Sequence, residues 1–203
     1  MKNRISMIMV FLTLLMISCR KEIMDKTIFI PDENDPNLPA YTEWGYNSFG
    51  AKYGYDYFLV STSNKTSSII TLNPITPCTI KHSNQRIQFL LRGTLRNGNE
   101  MSLLFTFPLI AQISGYYDLV KLPKEEIVLS AANNCTVSID NVPLQELDGK
   151  LHFKRVQILS IDGTMERAIL SGTFEVNFKK GGENERISNG RFDMGITNKE
   201  FSR

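Results

Sequence analysis

Few side chains in this chain are of the kinds that do nucleophilic or metal chemistry. Among 203 residues there are 2 histidines, His82 and His152, and 3 cysteines. A zinc centre wants three or four His, Cys or carboxylate ligands with tight local spacing. His82 follows Cys78 closely, yet Thr79-Ile80-Lys81 between them reads as the end of a strand, so both histidines are expected at exposed strand ends. Acyl transfer needs a base beside its nucleophile, and the chain has no Gly-x-Ser-x-Gly elbow. Glycoside hydrolysis needs only two carboxylates roughly 5 to 9.5 Å apart, which sequence spacing does not reveal. Glu43, Asp56, Glu175 and Asp193 lie in or near expected strands and are read as solvent-facing members of the alternation. No catalytic residue, metal site or cofactor is assigned.

Binding chemistry has more to work with. Tyr41, Trp44, Tyr46, Phe49, Tyr53, Tyr55, Tyr57 and Phe58 crowd one short stretch. Tyr53, Tyr55 and Tyr57 share a parity, so they are expected to form a row on one sheet face. Exposed flat rings suit stacking on sugars or anchoring at protein interfaces; the alternative is that they cap or fill the core. Trp44, Tyr53, Tyr55 and Tyr57 are the candidate ligand or partner surface. Tyr116-Tyr117-Asp118 is a second patch of the same kind.

The elements that must position these residues have period two. Ile87, Phe89, Leu91 and Leu95 alternate with Gln88, Arg92, Thr94 and Arg96, and Met101, Leu103, Phe105 and Phe107 resume the pattern after Asn97-Gly98. Asn-Gly between alternating runs is a hairpin signal, expected here as a type I′ turn. Leu151 and Phe153 alternate likewise, as do Phe174, Val176 and Phe178 before Gly181-Gly182. Phe192 and Met194 fall on the opposite parity to Ile187, which implies a bulge near Asn189-Gly190. Pro108 to Glu126 reads as loop with one short helix. The expected fold is all-β: a single antiparallel sandwich or barrel-like domain over residues 41–203.

The N-terminus sets the compartment. Lys2 and Arg4 precede an apolar run from Ile5 to Ile17, followed by Ser18-Cys19. A basic start, a short apolar stretch and a small residue form a secretory signal, too short to span a membrane. Leu15-Met16-Ile17-Ser18-Cys19 resembles the lipobox of bacterial lipoproteins, with Met16 where that family usually has Leu. The resemblance implies removal of residues 1–18 and lipidation of Cys19, by acyl chains such as palmitate. Arg20 in place of Asp after the cysteine implies the outer membrane. Residues 19–40, with Pro31-Asp32-Glu33-Asn34-Asp35-Pro36-Asn37, are expected to be a flexible tether.

Losing Lys2 and Arg4 brings the 23 basic residues level with the 21 acidic ones, so nothing marks a nucleic-acid partner. In an envelope protein the remaining Cys78 and Cys135 can form a disulfide. A bridge between them would contribute about 4 kcal/mol through loop entropy. Buried free thiols in a sheet are the alternative.

Leu170-Ser171-Gly172-Thr173-Phe174-Glu175 and Ser188-Asn189-Gly190-Arg191-Phe192-Asp193 look like the terminal hairpin of a group of uncharacterised lipoproteins of anaerobic Gram-negative bacteria. Phe49-Gly50-Ala51-Lys52 resembles that group's opening strand, with Tyr53-Gly54 replacing the usual Asn-Gly. The resemblance implies an extracytoplasmic all-β lipoprotein with no established activity. Three functional expectations follow. The first is a non-catalytic binding or structural module in the outer membrane, held by its lipid and contacting a glycan or envelope protein. The second is a lipocalin-like carrier, and the third a hydrolase with a carboxylate pair.

Overall fold

Alternating runs become strands over most of the described residues. The computed structural model describes residues 27–60, 78–83, 85–109, 112–122 and 124–202. The strands are β1 (Ser48–Tyr53), β2 (Asp56–Val60), β3 (Cys78–Ser83), β4 (Arg86–Leu95), β5 (Glu100–Pro108) and β6 (Glu126–Ser130). They continue with β7 (Thr136–Ile139), β8 (Val142–Pro143), β9 (Gln145–Ile161), β10 (Thr164–Lys180), β11 (Glu183–Ile196) and β12 (Phe201–Ser202). All belong to one sheet ordered β6-β9-β10-β11-β1-β2-β4-β5-β7-β8, with β3 alongside β4 and β12 alongside β3. Neighbours are antiparallel except the short β12–β3 pair. The fold is all-β, as expected.

The sheet doubles over so that its two halves pack face to face as a β-sandwich. Phe89 of β4 lies with its ring centre 5.7 Å from Phe153 of β9 and 4.9 Å from Phe192 of β11. Phe105 of β5 meets Phe174 of β10 at 5.3 Å, edge to face. All five rings are at most 1% exposed. Burying each stabilises the fold by roughly 1.5 to 3 kcal/mol. The period-two pattern decides this: Ile87, Phe89 and Leu91 point inward from one strand because they share a parity.

Val60 opposes Gly93 and Cys78 opposes Leu91, so β2 and β3 lie end to end along the same edge of β4. β12 then fills the place beside β3 that β1 does not reach, pairing Phe201 with Ile80.

The hairpin at Asn97-Gly98 stands where expected, but its turn differs. Gly98 has φ +87° while Asn97 stays at negative φ. Gly98 N–H donates to Leu95 O and Leu95 N–H to Asn99 O, both at 2.8 Å. This is a three-residue loop, in which a type I turn is followed by one left-handed residue. The Asn97 side chain accepts from Asn99 N–H at 2.9 Å, which favours that geometry over type I′. Gly181-Gly182 does form a two-residue turn with both φ positive. The bulge is also present: Gly50 to Lys52 spans Arg191 to Ser188, and Asn189 sits at φ +53°.

One expectation is corrected. Residues 27–40 are not a free tether, since they fold onto the outer face of β1 and β11. Pro31 bridges to Pro39, Leu38 is wholly buried, and Ala40 N–H donates to Ile30 O. Asp35 pairs with Lys52 at 2.7 Å and Asp32 with Arg191, whose side chains are both mostly covered. Pro39 lies so close to Gly50 that a Cβ there would come within 2.4 Å of its ring. The turn-rich composition that suggests disorder instead builds an ordered strap, because its acids find basic partners on the sheet.

Of the two readings for Cys78 and Cys135, the structure has the buried free thiols. Cys78 belongs to β3 and Cys135 leads into β7, with β4 and β5 between those strands. Three strand spacings amount to roughly 14 Å along the sheet, twice the Cα separation that a disulfide tolerates. Each thiol acts as a small core side chain, and burial pushes the Cys78 thiol above its ordinary pKa. The Pro108–Glu126 region carries one short 3-10 helix, Tyr116–Lys121, which packs on β9 and β10.

Candidate binding surface

The segment just before β1 is fixed by one carboxylate. Asp193 on β11 is 1% exposed, not solvent-facing as expected. Its Oδ1 accepts from Gly45 N–H and Ser171 Oγ, each at 2.8 Å. Its Oδ2 accepts from Thr42 Oγ1 at 2.5 Å, Trp44 N–H at 3.1 Å and Tyr46 N–H at 3.2 Å. Successive amides wrapped around an anion of this kind hold a backbone turn rigidly. Gly45 reaches the positive φ that the wrap requires and rests against Ile169.

Out of that fixed turn stands Trp44, 71% exposed. Glu43 beside it accepts from Tyr41 Oη at 2.9 Å and from Arg155 at 2.8 Å. The Arg155 guanidinium, with help from Tyr41, holds the Glu43 carboxyl below its usual range. Burial, then Glu43, pushes the Tyr41 phenol up. Gln157 closes the group, donating to Glu43 O at 3.3 Å and accepting from Arg155 Nε at 2.9 Å. Lys154 lies over the Tyr41 ring at 5.0 Å. The set is rigid and charge-balanced, with one large ring left in water.

The tyrosine row does not form. Tyr55 occupies the β1–β2 turn beside Gly54 (φ +58°) and is fully exposed at its tip. Tyr53 and Tyr57 therefore fall on opposite faces: Tyr53 pairs across with Asp56, Tyr57 with Lys52. Tyr53 packs on Phe178 at 6.2 Å and donates to Glu185 at 2.5 Å. Tyr57 lies under the strap, its hydroxyl 3.3 Å from Asp35. Parity along the sequence cannot show this, because the Gly54-Tyr55 turn interrupts the run.

The remaining candidates are tied into local structure. Asp56 accepts from the Tyr57 and Arg96 amides at 2.8 and 3.1 Å, and Glu175 pairs with Arg186 at 3.1 Å. His152 Nε2 lies 2.9 Å from Lys124 O, and His82 is on β3. Tyr116 is buried with its hydroxyl on Met165 O at 3.0 Å, while Tyr117 stacks edge-on against it and is 47% exposed. Cys19 lies outside the described residues. The Asp193 knot leaves only a weak trace in sequence, namely a carboxylate set between the apolar Phe192 and Met194.

No family model matches the chain, and no curated protein or solved structure matches it either.

Proposed function

We propose that this chain is a lipid-anchored envelope lipoprotein of the outer membrane, whose β-sandwich serves as a non-catalytic binding or structural module. On this reading it belongs with the lipoproteins whose terminal hairpin it resembles. The observation that carries the surface role is the division of its aromatic residues. Phe89, Phe105, Phe153, Phe174 and Phe192 fill the interior ring against ring, whereas Trp44, Tyr55 and Tyr117 stand outside. A carrier needs apolar space inside; a surface module needs rings outside. The acids weighed for hydrolysis are each held by structural hydrogen bonds, which supports a non-catalytic role.

The anchor is tested with labelled fatty acid. Incorporation into the wild-type chain and its loss in Cys19→Ser supports the reading; equal labelling of both overturns it. Glycan or envelope-protein contact is tested separately by Tyr55→Ala, which is expected to weaken binding while leaving the fold unchanged.

A further inference from the structure

Exposed apolar side chains are not spread evenly over this sandwich. β1 begins at the end where β9 and β11 finish and β10 starts. Ile28 and Trp44 lie near that end, joined through the Ile28 N–H to Tyr46 O bond of 2.8 Å. Met165 stands there on the β9–β10 hairpin, 56% exposed, with Tyr117 and Val120 on the neighbouring 3-10 helix at 47% and 42%. The opposite end carries the turns at Gly54-Tyr55, Asn97-Gly98 and Gly181-Gly182, where Tyr55 is the exposed ring; Val142 stands toward that end and Val128 on β6, each apart from the others.

We infer that the end bearing Trp44, Ile28 and Met165 rests on the lipid bilayer, with the indole at the headgroup level. The inference rests on the lipid-anchor reading and adds an orientation to it. Indole suits that depth because one end of the ring is apolar and the other carries an N–H that wants a polar partner.

Chain length supports the same seating. Ile28 follows Cys19 closely enough that the intervening chain spans at most about 30 Å. Ile28 bonds beside Gly45, which sits against Ile169 on β10, and from Ile169 to Lys180 that strand runs about 36 Å. With Cys19 held in the membrane, the near end can touch lipid while the Gly181 turn stays clear. Charge does not drive the contact. Arg155 and Lys121 are paired with Glu43 and Asp118, and the exposed Lys154 over the Tyr41 ring is offset by Asp162 and Glu166, exposed at the same end. The seating is therefore expected to be insensitive to salt, unlike a polybasic contact.

Trp44 is the 1 tryptophan in the chain, so its fluorescence reports this site alone. The lipidated full-length protein is reconstituted into vesicles of phosphatidylethanolamine and phosphatidylglycerol, with and without brominated acyl chains. Expected are a blue shift of Trp44 emission, quenching by the brominated lipid, and persistence of both at high salt. The double variant Ile28→Asp, Met165→Asp keeps the reporter and should still float with the vesicles while losing the quenching. If the wild type floats but Trp44 stays open to aqueous acrylamide, the seating is wrong and the anchor stands; Trp44 is then free for a glycan or protein. If the wild type does not float, the anchor reading fails and the seating with it.

Discussion

Asp193 accepts a hydrogen bond from the Gly45 amide at 2.8 Å across 148 positions of sequence. That contact fixes the start of β1 to β11 before either strand pairs further. Removing it strands buried donors. Asp193→Ala leaves the Gly45 amide and the Ser171 hydroxyl without their acceptor, and each unsatisfied buried donor costs about 1 to 3 kcal/mol. The expected loss is roughly 3 kcal/mol or more in denaturant unfolding. Amide exchange should speed up at Trp44 to Tyr46 while β4 and β5 stay protected. A loss below about 1 kcal/mol would mean the knot is not holding the segment.

The three tyrosines should behave differently. Tyr55→Ala removes a ring that touches little, so its melt is expected within about 0.5 kcal/mol of wild type. Tyr53→Ala removes a half-buried ring from Phe178 and a partner from Glu185, and is expected to cost about 2 kcal/mol. Tyr57→Ala should fall between them and loosen the strap. Equal losses for all three would argue for a common face after all.

Gly98→Val places a β-branched residue at φ +87°, where L residues are strained. More than about 1 kcal/mol should be lost. Asn97→Ala should cost less, because Asn97 has ordinary φ and gives up only its bond to the Asn99 amide. A type I′ turn would have made both positions sensitive.

Acid should act through Asp118. Its carboxylate is held well below the ordinary range, first by Lys121 at 2.6 Å and then by the Ser114 hydroxyl and amide. A depressed folded pKa stabilises the protein above the unfolded value of about 3.9 and loses that contribution as pH falls through the folded value. The stability gap between wild type and Asp118→Asn should therefore be constant near neutrality and close below about pH 4. A gap that persists in strong acid would assign the effect to packing instead of charge.

Sequence showed the sheet more readily than the surface, and the reason lies in range. Period two places Ile87, Phe89 and Leu91 inside whatever their distant neighbours are, and the parity switch between Ile187 and Phe192 marks the bulge at Asn189. At Gly54-Tyr55 the same logic fails, because a two-residue turn puts Tyr53 opposite Asp56 and so inverts the relation between parity and face. The 27–40 strap was hidden for another reason. Asp32 and Asp35 look like linker residues until Arg191 and Lys52 are known to lie beneath them. Asp193 likewise looks solvent-facing in sequence, since the amides that satisfy it come from a segment far away along the chain.

The end-to-end placement of β2 and β3 has an engineering consequence. Val60 and Cys78 face β4 residues only two positions apart, Gly93 and Leu91, so β4 alone fixes the gap between them at about 7 Å. Whatever length of chain joins them, the register on either side is set by β4. A substitution that shifts β4 at Gly93 or Leu91 is thus felt by both strands at once, so this short span of β4 is a poor place to engineer and the common rail of that edge.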